Sequence, residues 1–68
     1  MDRTYQQAVV EKAAAAHALY EAELAAHDAN QTHIDPWIKA AHDRLHTAVL
    51  RYSDADALVA AVIAGVAA

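Results

Sequence analysis

The fold of this chain is decided by residues 29–36, whose sequence is ANQTHIDP. This stretch holds the only proline of the 68 residues, directly after Asp35. A short carboxylate can accept hydrogen bonds from the unpaired N–H groups of a helix start. Proline fits the first helical position because its missing N–H would go unused there. The stretch therefore predicts that a helix starts at Pro36 and that the chain folds back as an antiparallel hairpin.

The composition favours helix on both sides of this break. Twenty of the 68 residues are alanine, which has the highest helix propensity, and only one is glycine. Alanine buries little apolar area, however, and a chain of this length can barely form a sufficient core. Self-association is therefore a natural way for the chain to gain stability.

The pattern predicts one all-α domain over residues 1–68. We expect a helix over about 3–28, a turn over 29–35 and a second helix over about 36–52. A third helix over about 54–67 is indicated because Ser53 can cap a helix start and Asp54 and Asp56 suit its first turn. The predicted fold is thus an antiparallel hairpin with an apolar C-terminal helix, a small three-helix bundle. One unbroken helix after Pro36, completed by dimerisation, is the alternative.

Apolar residues at three- and four-residue steps predict which helix faces form the core. On the first helix they are Tyr5, Val9, Ala13, Ala16, Tyr20 and Leu24. On the second helix they are Ile34, Ile38, Ala41, Leu45, Ala48 and Tyr52. The second set has heptad-like spacing, which suits packing against an antiparallel neighbour. Helix 1 is acidic and helix 2 basic, so their charges favour the same pairing.

The C-terminal segment is the first candidate for a partner-binding surface. No charged residue follows Asp56, so a helix exposed all round is unfavourable there. The predicted contact residues of this segment are Leu58, Val59, Val62, Ile63 and Val66. Trp37 is the second candidate, since tryptophan is enriched at binding hot spots. Packing of Trp37 into the small core, near Leu24, is the favoured interpretation.

Five histidines suggest an alternative, a metal- or pH-responsive binding protein. His17 and Glu21 are four residues apart, as are His42 and His46, and a hairpin centred near residue 32 would bring the two pairs level. Histidine nitrogens and a carboxylate oxygen can bind zinc in tetrahedral geometry. Protonation of histidines beside carboxylates could instead loosen the hairpin between pH 5 and 8. Ordinary surface pairs explain the same spacing.

Two short motifs resemble those of known families. The segment 42–46, HDRLH, is similar to the zinc-protease pattern His-Glu-x-x-His, with aspartate in place of glutamate and no evident third ligand. Trp37 and the later segment 52–56, YSDAD, resemble the small secreted helical hairpins of type VII secretion, which implies a secreted hairpin. That family has Trp-x-Gly in the turn, whereas Trp37 is followed by Ile38 and Lys39.

Other function classes lack the residues they require. The net charge is −4 and no lysine or arginine cluster is visible, so nucleic-acid binding is not expected. The longest apolar run, 57–68, is too short for a membrane span, and no signal peptide fits, which favours a cytoplasmic location. No catalytic set or cofactor motif is recognisable. The sequence therefore predicts a small acidic helical interaction or regulatory protein without enzymatic activity.

Overall fold

A computed structural model of the chain describes residues 3–65, which form two long α-helices. Helix α1 is Arg3–Thr32 and helix α2 is Asp35–Ala64, each 30 residues long. The helices contact each other along an antiparallel hairpin whose longest dimension is 48 Å. The predicted helical hairpin and its break are therefore confirmed. The first helix is longer than expected, because residues 29–32 are helical and only His33 and Ile34 connect the helices.

The turn between the helices is held by backbone and threonine hydrogen bonds. The Thr32 hydroxyl donates to the carbonyl of Ala29 (2.6 Å) and accepts from the N–H of Ile34 (3.1 Å). His33 takes a left-handed conformation with φ of 58°. The carbonyl of Ile34 then accepts hydrogen bonds from the N–H groups of Trp37 and Ile38. Ile34, rather than Asp35, is the N-cap of α2, and Pro36 lies in its first turn.

The predicted three-helix bundle is wrong, because α2 continues without interruption through Ser53 and Asp54. Both side chains are exposed, so water can solvate their polar atoms and neither needs to cap a helix. The continuous helix after the turn matches the alternative interpretation, and its apolar end lies level with the start of α1 because the two helices have the same length. Helix α2 ends at Ala64 and is capped by Gly65, whose left-handed φ of 80° suits a residue without Cβ.

The helices pack along a surface lined by small side chains, which we call the alanine seam. It consists of the buried residues Ala8, Ala15, Ala22, Ala26, Ala41, Ala48, Ala55 and Val59. Ile38, Leu45 and Tyr52 border it as half-buried residues. The predicted core face of α2 is therefore confirmed except at Ile34, which is 39% exposed. Alanine allows the two backbones to approach closely, because helix separation depends on the side chains at the contact.

The predicted core face of α1 is wrong. Val9, Tyr20 and Leu24 are exposed, and the buried face consists of alanines about a third of a turn away. The prediction favoured bulky side chains, since these bury the most area. In the hairpin, the buried contact of α1 is instead made by alanines, which bury less area but let the helices pack closely.

The hairpin buries little for its size. Its accessible surface is 4921 Å², whereas a compact protein of 7.3 kDa exposes about 4,200 Å². Its radius of gyration is 15.1 Å, against about 11 Å for a compact chain of this length. Within residues 4–65, no large side chain is fully buried. The core of the single chain is thus unusually thin.

Candidate interaction surface

The C-terminal part of α2 is divided between the seam and solvent. Val59 is buried and Val62 is half-buried, so both are less accessible to a partner than the exposed residues of this segment. Leu58 is 43% exposed and Ile63 is 68% exposed. The predicted partner residue Val66 lies outside the described residues. The hairpin therefore leaves part of the predicted surface accessible and uses the rest for its own packing.

Trp37 lies in the first turn of α2, at the end of the hairpin that carries the connection. It is 59% exposed, so the favoured interpretation of a core tryptophan is wrong. Ile34, three residues earlier, is also exposed. Both side chains are therefore accessible at this end of the molecule, and exposed tryptophan is a residue type that often anchors protein partners.

A second apolar surface, which its residue spacing predicted to be core, lies on the outside of α1. We call it the outer stripe; its residues are Val9, Ala13, Ala16, Tyr20 and Leu24, all exposed. At 100° per residue, the stripe is turned by about 130° from the alanine seam. It carries no charged side chain. The signal that separates the two faces is the seven-residue recurrence of Ala8, Ala15 and Ala22, which matches that of the alanines on α2.

The structure does not bring the four predicted metal ligands together. His17 Nε2 lies 3.7 Å from Glu21 Oε1, but both are on the side of α1 opposite the seam. His42 Nε2 instead lies 3.3 Å from Asn30 Oδ1 across the helices. Within residues 3–65, no group of three or more His, Cys, Asp or Glu side chains could hold a metal ion.

The protease-like segment lies on an exposed part of α2, where Asp43 pairs with a lysine of the same helix. The carboxylate of Asp43 accepts a 2.8 Å hydrogen bond from Lys39, one helical turn earlier. That hydrogen bond and the positive charge of the ammonium group lower the pKa of Asp43. A carboxyl group held in its ionised form by a lysine is poorly placed to take up a proton. The five histidines are all exposed, which gives none of them a shielded environment.

Two ion pairs connect the helices on opposite edges of the seam. Arg51 donates two hydrogen bonds to Glu11, at 2.9 and 3.0 Å, and this paired geometry lowers the pKa of the Glu11 carboxyl. On the other edge, Lys12 Nζ lies 2.8 Å from Asp56, whose hydrogen bond and charge raise the pKa of the lysine. Both pairs are partly exposed, so they contribute more to orientation and register than to stability.

Shallow grooves follow the edge of the seam on which Arg51 lies. One, of about 420 Å³, is bordered by Ala18, Asp43, Arg44 and Thr47 among others, and another includes Leu50 and Leu58. Both are open to solvent, and no buried side-chain polar atom without a partner is found within the described residues. These grooves resemble the surface between two helices more than an enclosed ligand site.

Comparison with known proteins finds no matching family, no similar curated protein and no similar solved structure. The resemblance to type VII secretion hairpins therefore rests on its short motifs alone, and Trp37 lies inside α2 rather than in the turn. In the part of the chain that the structure describes, neither helix is long and apolar enough to cross a membrane.

Proposed function

We propose that this chain is a small non-catalytic helical protein that acts by binding another protein chain. The proposal is supported by one observation above all. No large side chain is fully buried among the described residues, while ten large apolar side chains are exposed. Monomeric soluble proteins rarely expose a large contiguous apolar surface, and such surfaces usually mark sites of interaction.

The distribution of these residues favours binding through helix faces. Trp37 and Ile63 lie at opposite ends of α2, and Val9, Tyr20 and Leu24 follow one face of α1. A partner that lays its own apolar helix face on such a surface buries residues at three- and four-residue steps. The exposed charges beside them would set orientation and partner choice. A cytoplasmic location stays a prediction.

Site-specific photocrosslinking in cells tests the proposal. A photoreactive phenylalanine analogue replaces Trp37, Tyr20 or Ile63 in turn, with the exposed polar residue Gln31 as the matched control. We expect discrete crosslinked products at the apolar positions, several-fold above those at the control position. Products no stronger than those at Gln31, at all three apolar positions, would contradict the proposal.

A further inference from the structure

We propose that the outer stripe of α1 binds a second copy of this chain, with the two α1 helices antiparallel about a two-fold axis near Ala16. This inference rests on the proposed function and names its partner. The stripe advances by steps of four, three, four and four residues, which is the spacing of a helix-packing face. Its polar neighbours His17 and Glu21 lie to one side of it and Lys12 and Glu23 to the other.

The hairpin exposes more surface than a compact chain of its mass, which leaves surface for a partner to cover. The accessible surface of 4921 Å² exceeds that of a compact protein of this mass by about 700 Å². A standard protein–protein interface buries about 800 Å² on each partner. The excess surface is therefore close to one interface per chain. Val49 extends the apolar surface onto α2, since it lies seven residues before Asp56 and hence on the edge where Asp56 meets Lys12.

The sizes of the side chains favour the antiparallel register. With the two-fold axis near Ala16, Val9 of one chain lies level with Leu24 of the other, and Ala13 lies level with Tyr20. Each large residue then faces a smaller one, as in a core whose layers interdigitate. A parallel pair would place Tyr20 against Tyr20 and Ala13 against Ala13, which produces crowding in one layer and a gap in the next.

The charges beside the stripe favour the same register. In an antiparallel pair each edge of the stripe meets the same edge of the other helix, as the flanking positions do in a coiled coil. Lys12 of one chain then comes within about one helical turn of Glu23 of the other, twice in the dimer. In a parallel pair this edge would instead meet the opposite edge of the other helix, which carries His17 and Glu21, so the attraction between Lys12 and Glu23 would be lost.

Two adjacent valines provide a matched test. Val9 lies in the stripe, whereas Val10 is exposed on another side of α1. By sedimentation equilibrium we expect the native chain at twice its 7.3 kDa mass. Val9→Lys should raise the dissociation constant at least about ten-fold, and Val10→Lys should leave it unchanged. Neither substitution touches the alanine seam, and circular dichroism checks that both variants stay helical. A native monomer, or equal effects of the two substitutions, would overturn the proposal.

Cysteine crosslinking tests the register, because the chain contains no natural cysteine. In the antiparallel dimer, Ala16→Cys should crosslink efficiently through a short bismaleimide. Ala13→Cys should not, since its two copies are about 10 Å apart along the helix axis. Ala14→Cys, on another face, is the control. Equal crosslinking at positions 13 and 16 would indicate a parallel pair and overturn the register. A native monomer that still forms adducts with another protein in cells would overturn this inference while the proposed function stands.

Discussion

His33, in the turn between the helices, has a backbone conformation that few residues other than glycine adopt. Its φ of 58° is in the left-handed region, where a side chain with a Cβ costs roughly 1–2 kcal/mol. Glycine usually occupies this position after a helix, because it takes a positive φ without steric cost. The side chain of His33 is exposed, so little packing is lost when it is removed.

Replacing His33 with glycine should therefore stabilise the hairpin. We expect the free energy of unfolding of His33→Gly to exceed that of His33→Ala by about 1 kcal/mol, because both lose the imidazole but only glycine relieves the strain. Urea unfolding of the two variants at one fixed protein concentration measures the difference. An alanine variant as stable as the glycine variant would mean that the left-handed conformation of His33 is not a source of strain.

At the scale of the helices, stability depends on the close contact that alanine permits. Ala15 is completely buried in the seam, while its neighbour Ala14 is exposed. A larger side chain at Ala15 would force the helices apart, and overpacking of a tight core typically costs about 1–3 kcal/mol. A larger side chain at Ala14 projects into solvent, where substitutions usually change stability by less than about 0.5 kcal/mol.

Ala15→Leu and Ala14→Leu therefore form a matched pair with the same change in composition. We expect Ala15→Leu to lower the free energy of unfolding by about 1–3 kcal/mol and Ala14→Leu to change it little. Thermal and urea unfolding at equal protein concentration give the comparison. If the two variants were equally stable, the seam would have room that the structure does not show.

The helix faces also show how far the sequence determines the fold. The break before Pro36 and the core face of α2 follow from local chemistry and from heptad spacing, and both were predicted. The core face of α1 was not predicted, because the largest apolar side chains were taken as the core. That choice selects Tyr20 and Leu24, whereas the buried residues of α1 are alanines. The start signal at Ser53 failed for a related reason. A polar residue that can cap a helix is also tolerated in mid-helix when its side chain reaches solvent.

The exposure of the candidate residues was predicted only in part, and their binding to a partner stays a prediction. Leu58 and Ile63 are exposed, and so is Trp37, which was favoured as a core residue. Val59 is buried and Val62 is half-buried. The outer stripe could not be recognised before the buried face of α1 was known, since both faces are apolar. The metal hypothesis depended on the same rotation of α1, which turns His17 and Glu21 away from α2.

For the whole molecule, the pH dependence of stability follows from the exposed ion pairs. The pKa values of Glu11 and Asp43 are lowered in the folded chain, mainly by hydrogen bonds from Arg51 and Lys39. A lowered carboxyl pKa means that the unfolded chain binds more protons than the folded one between the two pKa values. The stabilisation is therefore complete above the ordinary carboxyl pKa and is lost as the pH falls through the lowered value. The pKa values of Lys12 and Lys39 are raised by their ion pairs. These two groups therefore change the stability only at alkaline pH, where loss of the lysine proton removes the stabilisation from each ion pair.

We therefore expect a free energy of unfolding that changes little from about pH 6 to pH 8 and falls as the pH decreases below about 4.5. In Glu11→Gln the free energy of unfolding should fall less steeply below about pH 4.5. Glutamine keeps a polar group near Arg51 but has no carboxylate that acid can protonate. Asp54→Asn removes an exposed carboxylate that forms no ion pair within residues 3–65, so its slope should match that of the native chain. Thermal unfolding across this pH range, at low and high salt, measures the slopes. An acid slope that Glu11→Gln leaves unchanged would show that the Glu11–Arg51 pair does not link stability to pH.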